Sequence, residues 1–302
     1  MRIGVVIGKP GGYGDSIPEL VGEYGRARDL GIPTVWMTQH LGFDALTLMA
    51  SWGDDRGPEL GTAVIPAQTR HPVALAEQAL TANSLTGGRL ALGLGLAHAA
   101  TLEVAYGLPS RRSVSYLADY LATLQALLSG QKSTPNETFG FSTRIGASDL
   151  LPAPQVLIAA LGPRMLKLAG EQTAGTITWM TGPRTIANYV TPSIESAAQA
   201  AGRPEPRVVV CLPFCVTRDA RTALASLGQF SLYRDIPSYR AMLDREGVED
   251  PRDLATAGDE DHVLNAFDQL KSGGATDIGV IPFGNPYEVA ATWQLLGGRS
   301  RG

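Results

Sequence analysis

The stretch Gly88-Arg89-Leu90-Ala91-Leu92-Gly93-Leu94-Gly95 decides how the chain is read. Its centre, Leu90–Leu94, is short, apolar on both faces and bounded by glycine. That is the pattern of a parallel strand covered from both sides, not of a half-exposed antiparallel one. Seven further runs of this kind recur along the chain, at Ile3–Gly8, Thr34–Thr38, Leu60–Ile65, Val156–Ala160, Thr176–Met180, Val208–Val216 and Asp277–Ile281. Helical patterns separate them. Ser16-Ile17-Pro18-Glu19 is a capping box that leads into Leu20, Val21, Tyr24 and Ala27 on one face. Val114, Leu117, Leu121, Leu124 and Leu128 form a regular stripe, and Val263, Leu264, Phe267 and Leu270 form another, closed by Gly273-Gly274. Strands alternating with helices in this way predict an α/β fold, a (β/α)8 TIM barrel, as one domain over residues 1–302. A doubly wound sheet is the structural rival.

Two stretches interrupt the rhythm. Gln131–Pro154 is polar and turn-rich, and Leu232–Asp261 is charged. Both are expected as insertions over the C-terminal mouth of the barrel, where they would act as lids.

Bulk properties narrow the function classes. The 302 residues are 44% hydrophobic, enough for one large core. A net charge of −4 and a pI near 5.6 argue against a nucleic-acid or anionic-membrane surface. The apolar start Met1–Gly8 breaks at Lys9-Pro10-Gly11-Gly12 and reads as a strand, not a signal peptide. No apolar run approaches the roughly 18 residues of a membrane span. Cys211 and Cys215, four residues apart in one strand, would sit about 13 Å apart, whereas a disulfide needs Cα atoms within about 7 Å. With no disulfide framework, a cytoplasmic protein is expected.

A TIM barrel carries its site at the C-terminal strand ends. There the chain offers Gln39-His40 after strand two and Pro66-Ala67-Gln68-Thr69 after strand three. Strand four is followed by Gly93-Leu94-Gly95-Leu96-Ala97-His98. Leu161-Gly162-Pro163-Arg164 and Trp179-Met180-Thr181-Gly182 follow strands five and six. His40 suits acid–base work or a hydrogen bond to a bound ring, or it is a core histidine bonded to backbone. His98 follows two glycines that admit a ligand close to the backbone, or it caps the helix beginning near Ala99. Gly93-x-Gly95 lacks the third glycine of a dinucleotide fingerprint. Gly162-Pro163 opens a helix whose free amides form an anion site, or it is an ordinary turn. The four histidines show no metal-ligand spacing, so no metal is expected. No G-x-S-x-G, P-loop or CxxC motif is present.

In combination these segments resemble luciferase-like oxidoreductases over nearly the whole chain. The resemblance rests on Gly88–Gly95, on Arg70-His71-Pro72 with Ala76-Glu77-Gln78, and on Gly162-Pro163-Arg164-Met165-Leu166 with Leu168-Ala169-Gly170-Glu171. Gly258-Asp259-Glu260, Gly273-Gly274-Ala275 and Pro282-Phe283-Gly284 complete it. It implies a barrel with an isoalloxazine-like ring at the mouth, resting on a non-prolyl cis peptide at Ala63-Val64. It also implies a phosphate held by backbone from Gly162 through Pro163 and Arg164 to Met165, and Trp179 in the pocket wall. Thr38-Gln39-His40 lacks the Glu-His-His often found in the flavin monooxygenases of the class, and its lone histidine resembles the branch that uses coenzyme F420. His98 stands where that branch often places a carboxylate, which speaks against a sugar-phosphate dehydrogenase. The resemblance thus implies an F420-dependent oxidoreductase passing a hydride to or from a small organic substrate, with His40 and His98 catalytic and a homodimeric assembly. The alternatives are an FMN-dependent monooxygenase fed by a partner reductase and a non-catalytic flavin-binding barrel.

Overall fold

The computed structural model of the chain describes residues 1–8, 14–53, 56–109, 114–148 and 151–299. The Lys9–Gly12 break lies outside them. All eight expected strands form, as β1 (Arg2–Ile7), β2 (Thr34–Met37), β3 (Glu59–Thr62), β4 (Leu90–Gly95), β5 (Gln155–Ala159), β6 (Gly175–Trp179), β7 (Arg207–Val216) and β8 (Asp277–Pro282). Each pairs in parallel with the next, and β8 returns to β1 through Arg2↔Asp277 and Val5↔Val280. The sheet therefore closes as a (β/α)8 barrel. Two short strands were not separable in the sequence: Ile65–Pro66, which continues beside β4, and Thr256–Gly258, which pairs with the end of β7.

Helices pack around the outside for the reasons their sequences give. The Ser16 hydroxyl accepts from the Glu19 amide, and the Glu19 carboxylate accepts from the Ser16 amide, so the capping box starts the helix Ile17–Asp29. The leucine stripe of Val114–Leu128 is buried. A large apolar core fills the space between strands and helices, and a smaller one fills the barrel.

Trp36 dominates the inner core and is fully buried. Glycines make its room: a Cβ on Gly61 would lie 2.1 Å from the Trp36 ring. Below it, at the N-terminal strand ends, the Arg207 guanidinium sits 5.7 Å from that ring. Arg207 pairs with Glu59 at 2.8 Å and Asp277 at 2.9 Å, and Arg2 pairs with Asp277 at 2.6 Å. Burial works against the Arg207 charge, but attraction to Asp277 and Glu59 outweighs it and raises the pKa. This ionic floor closes one end of the barrel and leaves the other for a ligand.

The two insertions part company. Of Leu232–Asp261, the part up to Glu246 reaches the mouth: Tyr233, in a 3₁₀ stretch (Gly228–Asp235) that begins before it, and Ser238 and Tyr239, in a helix (Pro237–Glu246), face a cavity. Of the segment Gln131–Pro154, the described residues 131–148 and 151–154 instead run along the outer wall. Its apolar side chains explain this: Phe139 packs on Tyr116 and Tyr120, Phe139 and Phe141 meet His71, and Pro152 accepts from Asn83.

Candidate active site

The C-terminal strand ends open into a cavity of about 370 Å³, within the roughly 300–1,000 Å³ usual for small-molecule and cofactor sites. Val6, Ile177, Cys211 and Ile281 from the inner core form part of its lining. His40 and His98 both line it and both are half-buried.

Local hydrogen bonds fix the loops that carry the two histidines. After β2, the Gln39 side chain accepts from the Ala45 amide at 2.7 Å, at the start of the helix Ala45–Ser51. Leu41, directly after His40, adopts a left-handed φ of 51°. After β4, the Gln68 side chain accepts from the Ala97 amide at 3.1 Å, and the His98 carbonyl accepts from Leu102 at 3.0 Å. His98 therefore leads into the π-helical turn Thr101–Ala105 while its ring lies 5.9 Å from that of Tyr239. Met180, directly after Trp179, is the other non-glycine residue of positive φ among those described, at 50°. Such conformations gather where surrounding structure holds a functional loop in place.

The remaining expected residues divide. Ala63 and Val64 line the cavity, and the bond between them is cis. Gly95 lines it too, and a Cβ there would lie 2.7 Å from the Val64 side chain. Gly162, Met165 and Trp179 are also in the wall, with Gly162 the N-cap of the helix Pro163–Gln172. The Met165 and Leu166 amides both donate to the Gly162 carbonyl, at 3.0 and 2.9 Å. Of the first-turn amides expected to meet a phosphate, Arg164 is therefore the one best placed, since Pro163 has none. The Pro163 and Arg164 side chains are exposed and line no part of the cavity. Gly93 does not line it either. The Thr62 hydroxyl accepts from its amide and donates to its carbonyl, both at 2.8 Å, and a Cβ would lie 1.9 Å from the Thr62 carbonyl oxygen. That glycine serves strand packing.

Sequence reasoning placed Trp179 in the pocket wall but missed the tyrosines that extend it. Trp179, Tyr233 and Tyr239 follow one another around the mouth, with ring centroids 5.9 Å apart for Trp179–Tyr233 and 4.8 Å for Tyr233–Tyr239. Phe230 backs Trp179 at 5.5 Å, and Tyr106 lines the same cavity. Tyr233 and Tyr239 stand in the charged stretch Leu232–Asp261, whose local pattern does not mark them as lining a cavity. Burial pushes the Tyr233 phenol above its ordinary pKa, so it stays protonated at neutral pH.

The model of the luciferase-like monooxygenase family matches residues 1–291. The chain belongs to this family. Among curated relatives, it is 27% identical over 242 residues to a 5,10-methylenetetrahydromethanopterin reductase of Methanolobus tindarius, covering 77% of this chain and 72% of the relative. Against two mycobacterial relatives it spans less than two thirds of their length, 59% and 60%. Among solved structures, the coenzyme F420-dependent tetrahydromethanopterin reductase of Methanopyrus kandleri superposes with a TM-score of 0.78 at 20% identity, over 98% of both chains. The oxygenating constituent of 3,6-diketocamphane monooxygenase from Pseudomonas putida, in complex with FMN, superposes with a TM-score of 0.78 at 15% identity, over 100% of this chain and 97% of that one. As a family member, the chain is an oxidoreductase. At these identities the two solved structures speak for the barrel alone.

Proposed function

We propose that the chain is an F420-dependent oxidoreductase that acts on a small organic molecule. One observation carries the reading: a single cavity at the strand ends is lined by His40, His98, the Ala63-Val64 peptide and the helix N-cap Gly162. Thr38-Gln39-His40 keeps a lone histidine, and a mycobacterial relative 29% identical over 211 residues bears the name putative coenzyme F420-dependent oxidoreductase, which supports the deazaflavin over FMN.

The residues present suit such a group. Small side chains at Ala63, Ala97 and Ala159, with Gly95, leave a slot for a flat ring. No atom lies within 4 Å of a Cβ built on Gly162, so space is open beside the helix start for a phosphate tail. When bound, the deazaflavin supplies or accepts the hydride. In this reading the Arg164 amide and the helix N-terminus hold the phosphate, and Ala63-Val64 supports the ring. His40 hydrogen-bonds near the reacting edge. His98 gives a proton to the substrate atom left negative by reduction of a C=C, C=N or C=O bond, or takes one in the reverse alcohol oxidation. Val6, Ile177 and Ile281, which belong to the inner core and line the cavity, keep bulk water from the reacting atoms.

Equilibrium titration of the purified chain with F420 and with FMN tests the reading. F420 is expected to bind at least about tenfold tighter, a difference of about 1.4 kcal/mol. Equal or reversed affinities, together with oxygen consumption in the presence of reduced FMN, move the chain to the monooxygenase reading.

A further inference from the structure

We infer that the aromatic wall of residues 179–239 is a substrate subsite for a flat, uncharged ring. The inference rests on the proposed redox role of the cavity and adds the class of molecule that role acts on. Four rings line one stretch of the mouth in succession. His98 lies 5.9 Å from Tyr239, Tyr239 lies 4.8 Å from Tyr233, and Tyr233 lies 5.9 Å from Trp179. These are the spacings of rings in offset or edge-on contact, and a planar guest extends such a rank by the same interaction.

The wall is held in place for this use. Tyr233 and Tyr239 come from the insertion Leu232–Asp261, and Trp179 from the end of β6. Glu246, on the same helix as Tyr239, accepts from the Arg184 and Thr185 amides beyond β6, at 3.1 and 2.7 Å. The two halves of the wall are thereby tied together. In the closed barrel β2 and β6 lie half a turn apart, so His40 at the end of one faces Trp179 at the end of the other. A guest on the wall therefore presents its edge toward the side where His40 and Val64 stand.

Charge argues the same way. No Asp, Glu, Lys or Arg lines the cavity among the described residues. A charged ring entering this wall sheds its hydration with no opposite charge among the described lining residues to replace it. A neutral aromatic ring, or a conjugated carbonyl of similar shape, meets no such penalty.

Isothermal titration of the purified chain with three probes of one size tests the inference. The probes are 2-naphthol (flat, neutral), decahydro-2-naphthol (neutral, not flat) and 2-naphthoate (flat, anionic). 2-Naphthol is expected to bind at least about tenfold tighter than either of the others. Tyr239→Leu should cut 2-naphthol binding roughly three- to tenfold and shrink its lead over decahydro-2-naphthol by the same factor, while Tyr239→Phe keeps both. Tyr233→Leu gives a second reading should Tyr239→Leu fail to fold. Equal binding of 2-naphthoate, or a preference untouched by both leucine variants, overturns the inference. With saturating F420 present, 2-naphthol must still bind; its stoichiometric displacement by F420 means that it occupied the cofactor's place, and the subsite falls. Should F420 itself not bind, the cofactor reading fails, while a Tyr239-dependent preference for flat neutral rings still upholds the subsite.

Discussion

Glu246 accepts hydrogen bonds from both the amide (2.7 Å) and the hydroxyl (2.6 Å) of Thr185, 61 residues away in the chain. A Cβ on the neighbouring Gly182 would lie 2.4 Å from the Glu246 carboxyl carbon, which explains the glycine there. Thr185 is buried, so removing the acceptor leaves its amide unsatisfied and its hydroxyl with only the Met242 carbonyl, at 3.4 Å. Glu246→Ala is expected to cost about 1–3 kcal/mol, and Glu246→Gln less, since one oxygen acceptor survives. Denaturant unfolding measures both. Binding of 2-naphthol should weaken in Glu246→Ala even where the protein remains fully folded, because Tyr239 rides on the same helix. Unchanged binding would separate the latch from the wall.

The floor of the barrel answers to a different variant. Asp277 is 2% exposed and receives both Arg2 and Arg207. Asp277→Ala leaves Arg207 beside Trp36 with Glu59 and Gln155, so its cost falls below the about 3–5 kcal/mol of a buried charge left wholly unpaired. The unfolding midpoint should fall accordingly. Cofactor affinity of the folded fraction should not change, because the floor lies at the end of the barrel opposite the mouth. A matching loss of affinity would show that the two ends are coupled.

Both thiols should be silent in the native protein. Cys211 and Cys215 are buried and unbridged. Burial pushes the Cys211 thiol up to about 12, with Asp277 adding to the shift. Burial does the same for Cys215, with Glu288 adding to it, again to about 12. At pH 8 both stay protonated, and the thiolate is the reactive form. A disulfide reagent should therefore label no thiol at pH 8 until the chain is unfolded, and then two. The sign for stability follows. Each thiol is harder to ionise in the folded state, so its contribution is complete below the unfolded value near 9.0 and is lost as the pH climbs toward about 12. Rapid labelling of native protein at pH 8 would contradict the burial of at least one of them.

The barrel was legible because its strands carry one signal repeated eight times. β2 is buried at all four positions and β4 at all six, and apart from Thr34 their sequences are apolar, with no polar face to suggest an amphipathic element. Only strands of two and three residues, Ile65–Pro66 and Thr256–Gly258, escaped, since neither is long enough to carry a period. The site was legible where a position follows directly from a strand end, as with His40, Val64, His98 and Trp179. It was not legible where the mouth is built by an insertion. Tyr239 sits in Pro237–Glu246, which carries Arg240, Asp244, Arg245 and Glu246, and local sequence does not say which face of such a helix turns inward. Gly93 misled for a related reason: a glycine beside a ligand and a glycine beside the Thr62 carbonyl look the same in a sequence.

The proton-transfer role proposed for His98 gives the most exposed prediction. Its backbone is tied on both sides, by Gln68 at Ala97 and by Leu102 at its own carbonyl, so its imidazole is held at the mouth beside Tyr239. A histidine exchanges its proton near neutral pH, which suits it to give or take the one that accompanies a hydride. His98→Ala should therefore slow single-turnover hydride transfer by about 10²–10⁴. It should leave F420 affinity nearly unchanged, because the lost interaction belongs to the transition state. His40→Ala should differ, weakening both binding and turnover, if His40 lies against the ring. Tyr239→Phe supplies the control: it keeps the ring beside His98 and removes the hydroxyl, so a rate loss there would pass the proton to Tyr239. If His98→Ala retains the parent rate between about pH 5 and 9, where imidazole titrates, His98 is a loop residue alone. The proton then comes from His40, the substrate or water.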